Sequence, residues 1–377
     1  MSTKKLLVDA HTFDENHQGI RTFIKGIYSA LDVSPSELKV YLVANDIDNL
    51  KEEFKNQNNF NYIKLESRNR YIRLAYELPK LIKKHRFDFA HFNYYLPLFL
   101  NKDCKYIVTI HDVLFIDFPQ YFSLKYRIKN TYLFKRSALK ANILTTVSEY
   151  SAERIKRNFN IKKKPLFVLP NAINEKYKLE YNKNKDREEI KQVYNIDNFL
   201  LYVSRIEPRK NHLKLVRAYQ ELQLWNRGIS LVLIGKESFE DKELEKAIKR
   251  VDIESGGKLV RLEDVANEEL IKFYNAAQLA VFPSLCEGFG IPPIESAVLK
   301  TPTLCSNSTA MKDFTFFESC LFDASSKDVI KLKILEVLNI QEDNHEIVRL
   351  QNISEMIKKK YSWTETAKIL KNLILND

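Results

Sequence analysis

Two glutamates and two glycines stand close together in residues 282–295. The glutamates are Glu287 and Glu295, and Gly288 and Gly290 are two of only 8 glycines in the chain. The carboxylates are too far apart to share a proton, so we expect each to accept hydrogen bonds from hydroxyls on a different part of one ligand, as a carboxylate does with a ribose 2′,3′-diol. A strand–turn–helix junction with a capping glutamate is the alternative interpretation.

A helix is predicted to begin directly after these glycines, because Pro292 and Pro293 suit a first helical turn. Proline has no N–H group, so the amides left free at this helix start are those of Gly290, Ile291 and Ile294. Unpaired amides and the positive end of the helix dipole together favour a bound phosphate. The segment therefore predicts a phosphate-binding turn.

Three basic residues, Arg205, Arg209 and Lys210, follow a predicted strand at residues 199–204. Arginine can hold a phosphate through two hydrogen bonds, and lysine acts as a point charge. A solvated surface loop is the alternative, but ligands bind at the carboxyl ends of strands in doubly wound sheets. We therefore expect this loop and the glycine turn to hold the same ligand.

The elements that must position these residues follow a regular order. Short apolar strands alternate with amphipathic helices in both halves of the chain, which predicts an α/β fold with two Rossmann-like, doubly wound lobes facing a central cleft. A polar segment rich in Lys, Asn and Glu is typical of a linker. The predicted divisions are an N-terminal lobe (1–175), a linker (176–197), a C-terminal lobe (198–357) and a last helix that crosses back to the N-terminal lobe (358–377).

Positive charge is concentrated in the first half of the chain. The whole chain has Lys+Arg 60 and Asp+Glu 49, a net +11. Residues 1–180 hold 31 of these bases and 19 of these acids, a net +12, so all of the excess lies in this half. A one-sided excess predicts contact with something anionic. Nucleic acid, an anionic membrane surface and a phosphate-bearing substrate are the candidates.

The composition excludes several classes of protein. Hydrophobic residues make up 45% of the chain, enough for full-sized cores, so wholesale disorder is excluded. The 4 cysteines form no C-x-x-C pair, which excludes a zinc ribbon and a disulfide scaffold and suits a reducing cytoplasm. We expect no signal peptide and no membrane span, because the apolar runs are well short of ~20 residues.

Two segments, 71–89 and 121–140, mix basic and aromatic residues on predicted amphipathic helices. Such helices suit contact with an anionic membrane surface. The alternative is that their apolar faces pack on the sheet while the basic faces are merely hydrated. The basic residues in or beside these segments include Arg70, Arg73, Lys80, Lys83, Lys84, Arg86, Lys125, Arg127, Lys129, Lys135 and Arg136.

Taken together, these features resemble glycosyltransferase family 4, of GT-B architecture, over nearly the whole chain. Within this family, the motifs are most similar to those of the mannosyl- and related transferases that build bacterial O-antigens. The motifs that carry the resemblance are Glu287-x7-Glu295, the pair Arg205 and Lys210, Leu169-Pro-Asn-Ala-Ile173, His111-Asp112, Val147-Ser-Glu149, Gly19-Ile20-Arg21 and Ile206-Glu-Pro-Arg-Lys-Asn211.

The resemblance implies a role for each matching position. His111 and Glu287 would be the catalytic residues, with His111 near the C6 oxygen of the sugar and Glu287 on the hydroxyls of the transferred sugar. The donor-binding residues would be Gly19, Arg205, Lys210, Gly288, Phe289, Gly290, Ile291 and Glu295, with the basic pair on the diphosphate and Glu295 on the ribose. The C-terminal lobe would hold the donor and the N-terminal lobe the acceptor, within reach of His11, His17 and Arg21.

The family also implies that the anomeric configuration is retained and that no cofactor or metal ion is required, because basic side chains stabilise the departing nucleoside diphosphate. Asp46-Ile-Asp48 spells the D-x-D metal signature of another transferase fold, but we interpret it as a polar turn.

The predicted function is transfer of a hexose, with mannose favoured, from a nucleotide sugar, with GDP-mannose favoured, to a growing, lipid-linked bacterial surface glycan. The enzyme would be cytoplasmic and peripheral to the inner face of the cell membrane. One alternative is another GT-B nucleotide-sugar enzyme, such as a 2-epimerase. A non-enzymatic, basic nucleic-acid-binding protein is the other, although the sequence has no motif of that class and no nucleic-acid partner is expected.

Overall fold

The chain folds as two compact units. A computed structural model describes residues 3–14, 18–57, 59–340 and 344–376. Unit 1 takes the described residues up to Ala172 together with those from Tyr361 onward, and unit 2 takes Ile173–Lys360. Each unit is built around one parallel sheet.

The described residues form seven strands in the sheet of unit 1 and six in the sheet of unit 2. Those of unit 1 are β1 (Lys4–Asp9), β2 (Leu38–Ala44), β3 (Phe60–Lys64), β4 (Phe89–Asn93), β5 (Lys105–Thr109), β6 (Ile143–Thr146) and β7 (Leu166–Val168). Those of unit 2 are β8 (Asn198–Val203), β9 (Ile229–Ile234), β10 (Leu259–Leu262), β11 (Leu279–Phe282), β12 (Thr303–Ser306) and β13 (Leu321–Phe322).

Helices connect these strands. They are α1 (Gln18–Ser29), α2 (Ile47–Glu53), α3 (Arg70–Ile72), α4 (Leu78–His85), α5 (Leu114–Asp117), α6 (Leu124–Lys140), α7 (Glu149–Phe159), α8 (Lys183–Tyr194), α9 (His212–Leu222), α10 (Lys242–Ser255), α11 (Asn267–Ala276), α12 (Ile291–Val298), α13 (Lys327–Leu338), α14 (Asn344–Lys360) and α15 (Trp363–Leu375). A π-helical segment, Arg73–Glu77, joins α3 to α4.

In unit 1 the strand order is β3-β2-β1-β4-β5-β6-β7, and every pair is parallel. Side chains of β4 and β6 are buried along their whole length, as in a parallel sheet that helices cover on both faces. The order of strands reverses between β1 and β4, so the loops after these two strands leave in opposite directions and open a crevice at the carboxyl edge.

In unit 2 the strand order is β10-β9-β8-β11-β12-β13, again with parallel pairs. The side chains of β9 and β11 are fully buried, and the order reverses between β8 and β11. The prediction of an α/β fold with two doubly wound sheets is confirmed. The two segments singled out for chemistry, 205–211 and 283–291, directly follow β8 and β11.

Residues 176–197, predicted as a linker, are packed as part of unit 2. They contain α8, whose Ile190 is buried and whose Asp186 carboxylate accepts a hydrogen bond of 2.7 Å from Asn275 on α11. The last helix, α15, belongs to unit 1, where the ring of Trp363 lies directly on the backbone of Gly26 in α1. A Cβ added to Gly26 would come within 2.1 Å of Trp363 Cε2, so this contact requires glycine.

Candidate functional site

The loops after β8 and β11 are fastened to each other by hydrogen bonds. The amide of Leu285 donates to the Arg209 carbonyl at 2.8 Å, and Asn211 Nδ2 donates to the Pro283 carbonyl at 3.1 Å. The buried Tyr202 hydroxyl donates to the Lys210 carbonyl at 2.7 Å. The two segments that the sequence singled out therefore form one rigid edge of unit 2.

Glu287 lies at the centre of this edge, between two cations. Lys210 Nζ pairs with its Oε1, and Arg209 Nη1 lies 3.1 Å from its Oε2. Burial by itself would raise the pKa of Glu287, but the charges of Lys210 and Arg209 and the hydrogen bonds of Lys210 and Ser284 outweigh it and lower the pKa to about 2. The carboxylate is thus ionised at neutral pH.

Arg205 lies apart from this cluster. Its side chain is 62% exposed, and its Nε donates to Ser238 Oγ at 2.8 Å. Arg209 instead donates to Glu207 at 2.8 Å and to the Cys286 carbonyl at 3.0 Å, besides its contact with Glu287. The sequence shows both arginines but does not show which one faces the glycine turn. The short helical turn Pro208–Lys210 places Arg209 there.

The glycine turn requires glycine at Gly290. Its φ is +105°, and a Cβ there would come within 2.9 Å of Met311 Cγ. Helix α12 begins at the next residue, Ile291, as the prolines predicted. Contacts with residues 309–314 also hold the turn in place. The Glu287 amide donates to Thr309 Oγ1 at 2.8 Å, and the Phe289 ring packs edge-on against Phe314 at 5.7 Å.

Glu295, on α12, has a different environment from Glu287. Its Oε2 accepts a hydrogen bond of 3.3 Å from the hydroxyl of buried Tyr274. Burial outweighs this hydrogen bond and raises the pKa of Glu295 to about 7. The two glutamates therefore have separate partners and opposite pKa shifts, which suits separate contacts with one ligand.

His111 lies at the carboxyl edge of unit 1, just after β5, and is buried. Its Nε2 is 2.9 Å from Asn93 Oδ1, and its ring packs edge-on against Phe23 at 5.0 Å. Burial lowers the pKa of His111 to about 3, so the imidazole is neutral. With Nε2–H donating to Asn93, the other ring nitrogen, Nδ1, is left as an acceptor.

Two further predicted residues lie in the N-terminal part of unit 1. His11 Nδ1 is 2.9 Å from Oδ1 of buried Asp9. Burial would raise the pKa of Asp9, but His11 and, to a smaller degree, Arg73 lower it. Arg21 pairs with Glu53, and His17 lies outside the described residues.

The placement of Gly19 differs from the prediction. The sequence put it in a loop, where absence of a Cβ would admit a diphosphate, but Gly19 lies in the first turn of α1. A Cβ added there would meet no atom within 4 Å. Glycine destabilises a helix interior, but its cost is small in a first turn, where the amides have no intrahelical partners.

Sequence reasoning missed a buried polar chain beneath His111. The Tyr28 hydroxyl lies 2.6 Å from His91 Nδ1, His91 Nε2 lies 2.8 Å from Thr109 Oγ1, and Thr109 Oγ1 lies 2.7 Å from Thr145 Oγ1. The available signal was a histidine and a threonine inside the apolar runs of β4 and β5. These side chains satisfy one another's hydrogen-bonding groups, so they fix the positions of the strands that carry Asn93 and His111.

Two family models match the chain and together cover most of its length. Residues 22–177 match the model of Glycosyltransferase Family 4, and residues 186–350 match that of glycosyl transferases group 1. The chain belongs to glycosyltransferase family 4. The resemblance predicted from its motifs is thereby confirmed.

Two relatives of this family 4 glycosyltransferase are named as mannosyltransferases. It is 29% identical over 293 residues to O-antigen chain mannosyltransferase B of Escherichia coli, a match that covers 72% of this chain and 69% of that protein. It is 27% identical over 233 residues to serotype-specific mannosyltransferase WbdA of Escherichia coli, which covers 60% of this chain and 28% of that protein. The chain thus spans little more than a quarter of the second relative.

The crystal structure of a glycosyltransferase from Rickettsia africae ESF-5 has the same fold. Its TM-score to this family 4 glycosyltransferase is 0.72 at 15% identity, over 99% of this chain and 97% of that chain. The predicted GT-B architecture is confirmed. Within the part of the chain that the structure describes, none of the helices combines the length and the apolar character that crossing a bilayer requires.

Proposed function

We propose that this protein transfers a hexose, with mannose favoured, from a nucleotide sugar, with GDP-mannose favoured, to a growing, lipid-linked bacterial surface glycan. The observation that carries the proposal is the cluster of Lys210, Arg209 and Glu287 beside the turn that begins α12. Two cations and a helix start are suited to a pyrophosphate, and a fixed carboxylate is suited to sugar hydroxyls. The names of the two relatives support mannose as the sugar.

Unit 2 would bind the donor. Lys210 and Arg209 would hold the diphosphate, and Glu295 would accept hydrogen bonds from the ribose hydroxyls. Since Glu287 already neutralises part of the cationic charge, a bound diphosphate would share both cations with it. The sugar hydroxyls would then donate to the Glu287 oxygens, which places the sugar beside the phosphate that leaves.

Stabilising the leaving group is the main chemical demand. As the bond between the anomeric carbon and the phosphate oxygen breaks, negative charge grows on that oxygen, where Lys210, Arg209 and the first amides of α12 would stabilise it. The acceptor hydroxyl attacks the same face of the sugar, its oxygen bonds to the anomeric carbon, and its proton passes to the departing phosphate. The configuration is retained, and neither a metal ion nor a cofactor takes part.

Unit 1 would bind the acceptor and contact the cytoplasmic face of the membrane. His111 would accept a hydrogen bond from a sugar hydroxyl through Nδ1, and His11 and Arg21 would lie toward the acceptor.

We define the apolar–basic surface of unit 1 by its exposed residues Tyr71, Ile72, Tyr76, Leu98, Phe99, Leu124, Ile128 and Tyr132 and by the lysines among them, Lys80, Lys125, Lys129 and Lys135.

This surface is continuous across three segments. Lys129 Nζ of α6 donates to the Tyr71 hydroxyl at 2.9 Å. The Leu98 amide donates to the Leu74 carbonyl at 2.9 Å, and Arg136 Nη2 donates to the Leu98 carbonyl at 2.7 Å. Large exposed apolar side chains surrounded by lysines fit a bilayer with anionic headgroups.

A panel of nucleotide sugars tests the donor assignment. The stabilisation of the protein follows RT ln(1 + [L]/Kd), so the donor should raise the melting temperature more than other nucleotide sugars at the same concentration. Radiolabelled sugar should then pass to a lipid-linked oligosaccharide only when that acceptor is present. Release of a free sugar or an epimer without an acceptor would favour an epimerase and contradict the transfer assignment.

A further inference from the structure

Arg73, the first residue of the π-helical segment, is a buried cation that forms no ion pair in the part of the chain that the structure describes. Its side chain is only 5% exposed, although Arg73 stands in the sequence among basic residues expected to face solvent. Its Nε is buried and has no hydrogen-bond partner within the described residues. Burying an unpaired guanidinium is costly, so a residue of this kind calls for a ligand.

Arg70 lies one turn before Arg73 and has a similar deficiency. Its guanidinium stacks on the ring of Tyr95 at 3.6 Å, which fixes its plane. Its Nη2 is buried, again without a hydrogen-bond partner in the part of the chain that is described. Residues three apart on a helix lie on the same face, so Arg70 and Arg73 project to the same side.

Both arginines are held at the carboxyl edge of the unit 1 sheet. Tyr95 follows β4, and the charge of Arg73 reaches Asp9 at the end of β1, where it helps His11 to lower the pKa that burial raises. Strands β1 and β4 flank the point at which the strand order reverses, where doubly wound sheets bind ligands. Asp9 forms no ion pair with Arg73 among the described residues, because its Oδ1 is bonded to His11 at 2.9 Å, so the two charges attract each other only over a longer distance.

We infer that Arg73 and Arg70 form a second anion subsite, in unit 1, that takes a phosphate or pyrophosphate group of the acceptor. Two guanidinium groups can present several N–H donors to phosphate oxygens, a geometry that lysine cannot reproduce. The assignment to the acceptor rests on the proposed function, whereas the anion site itself does not. A phosphorylated acceptor would then be recognised by its charge as well as by its sugar.

The rival explanation is structural, with Arg73 serving only to balance the charge of Asp9. The two explanations predict opposite effects of Arg73→Met. If Arg73 serves a ligand, the variant loses anion binding and melts at the same or a higher temperature, because an unpaired buried charge has been removed. If Arg73 only balances Asp9, the variant melts at a lower temperature and anion binding is unchanged, which overturns the inference.

Calorimetric titration with inorganic pyrophosphate is the direct test, because it requires no turnover. Wild-type protein should bind two pyrophosphates, one at each cationic cluster, and both Arg73→Met and Lys210→Met should bind one. Arg73→Lys should bind pyrophosphate at the unit 1 site about tenfold more weakly, since the charge remains but the paired N–H donors of the guanidinium are lost. The matched control is Arg68→Met, at an exposed arginine of the same segment, which should still bind two.

Two pyrophosphates bound by Arg73→Met, or none bound by Lys210→Met, would overturn the inference. The source of the phosphate is separated by titrating Lys210→Met with geranyl pyrophosphate and with dihexanoyl phosphatidylglycerol. An acceptor subsite should bind geranyl pyrophosphate at least about tenfold more tightly than dihexanoyl phosphatidylglycerol, because a pyrophosphate offers more oxygens to the guanidinium N–H donors. The opposite order overturns the assignment to the acceptor. Loss of one pyrophosphate in Arg73→Met would stand even if no nucleotide sugar proved to be a donor.

Discussion

Lys210 and Glu287 form an ion pair that joins the loop after β8 to the loop after β11. Only 13% of the Lys210 side chain and 14% of the Glu287 side chain are exposed, and Arg209 approaches the same carboxylate from the other side. The pair has a structural and a chemical consequence. It fixes the two loops relative to each other, and it holds two cations and a carboxylate together beside the turn at which α12 begins.

The first prediction concerns Glu287→Gln, which keeps the shape of the side chain and removes its charge. We expect the free energy of unfolding at pH 7 to fall by about 3 kcal/mol, because two cations lose their counter-charge, and we expect transfer to fall by about a hundredfold or more. Urea unfolding and a transfer assay measure the two effects. Glu237→Gln, which breaks a more exposed pair with Arg261, is the matched control and should stay within about 0.5 kcal/mol of wild type.

The contribution of Glu287 to the free energy of unfolding should decrease as the pH falls. The folded state lowers the pKa of Glu287 to about 2, so its stabilising contribution is complete above the ordinary value of 4.5 and is lost as the pH falls toward 2. The difference in stability between wild type and Glu287→Gln should therefore shrink below about pH 4. Equal unfolding free energies at pH 7 would contradict the role of the pair.

The second prediction compares two arginines that the sequence alone could not rank. Arg209→Met should weaken the binding of GDP by about tenfold or more, because it removes a charged donor beside Lys210, whereas Arg205→Met should change it by less than about threefold. Calorimetric titration of both variants gives the ratio. A larger loss in Arg205→Met would restore the assignment of the diphosphate to Arg205.

The fold was predictable from the sequence because its signals are local and repeated. Apolar runs bounded by polar turns marked the strands, and Ser148, in the motif Val147-Ser-Glu149, is the N-cap of α7, with Oγ accepting from the Ser151 amide at 3.1 Å. Asp46 shows where local signals mislead. It was interpreted as part of a polar turn, but its carboxylate caps α2 by accepting from the Asn49 amide at 3.0 Å, so the turn continues into a helix.

The candidate site was predictable only in part. The glycine turn, Lys210 and Glu287 stand next to recognisable sequence, and the structure brings them together. The orientation of Arg209 depends on how a short turn packs against a neighbouring strand, and the burial of Arg73 depends on a π-helical segment. Neither property is encoded in the spacing of residues, because each depends on atoms that are distant in the sequence.

The third prediction follows from the raised pKa of Glu295. Its carboxyl group has a pKa of about 7 in the free protein, so half of the molecules carry a proton there at neutral pH. Accepting hydrogen bonds from two ribose hydroxyls requires the ionised form, so the affinity for GDP should rise with pH, by up to about tenfold per unit below pH 7. Glu295→Gln should bind more weakly and without this slope, and a wild-type affinity that is constant from pH 6 to 8 would contradict the role of Glu295.

The fourth prediction tests the apolar–basic surface of unit 1. Ile128 and Tyr132 lie one turn apart on α6, with 65% and 70% of their surface exposed. Replacing both by serine should weaken binding to vesicles that contain phosphatidylglycerol by about a hundredfold, since each buried side chain contributes about 1.5 kcal/mol. Vesicle flotation measures the loss. Ile253→Ser, at an 81% exposed position of unit 2, is the matched control and should bind like wild type.

The fifth prediction concerns the polar chain beneath His111. Tyr28→Phe removes the hydroxyl 2.6 Å from His91 Nδ1 and leaves that nitrogen buried without a partner, so the free energy of unfolding should fall by about 1–2 kcal/mol. Burial lowers the pKa of His91 to about 3 in the folded protein, so its contribution to stability is complete above the ordinary value of 6.5 and is lost as the pH falls toward 3. Wild type should therefore lose stability steadily below pH 6.5, and urea unfolding of both proteins from pH 7.5 to 5 measures this. An unchanged stability of Tyr28→Phe at pH 7.5 would show that the hydroxyl does not support the strands that carry Asn93 and His111.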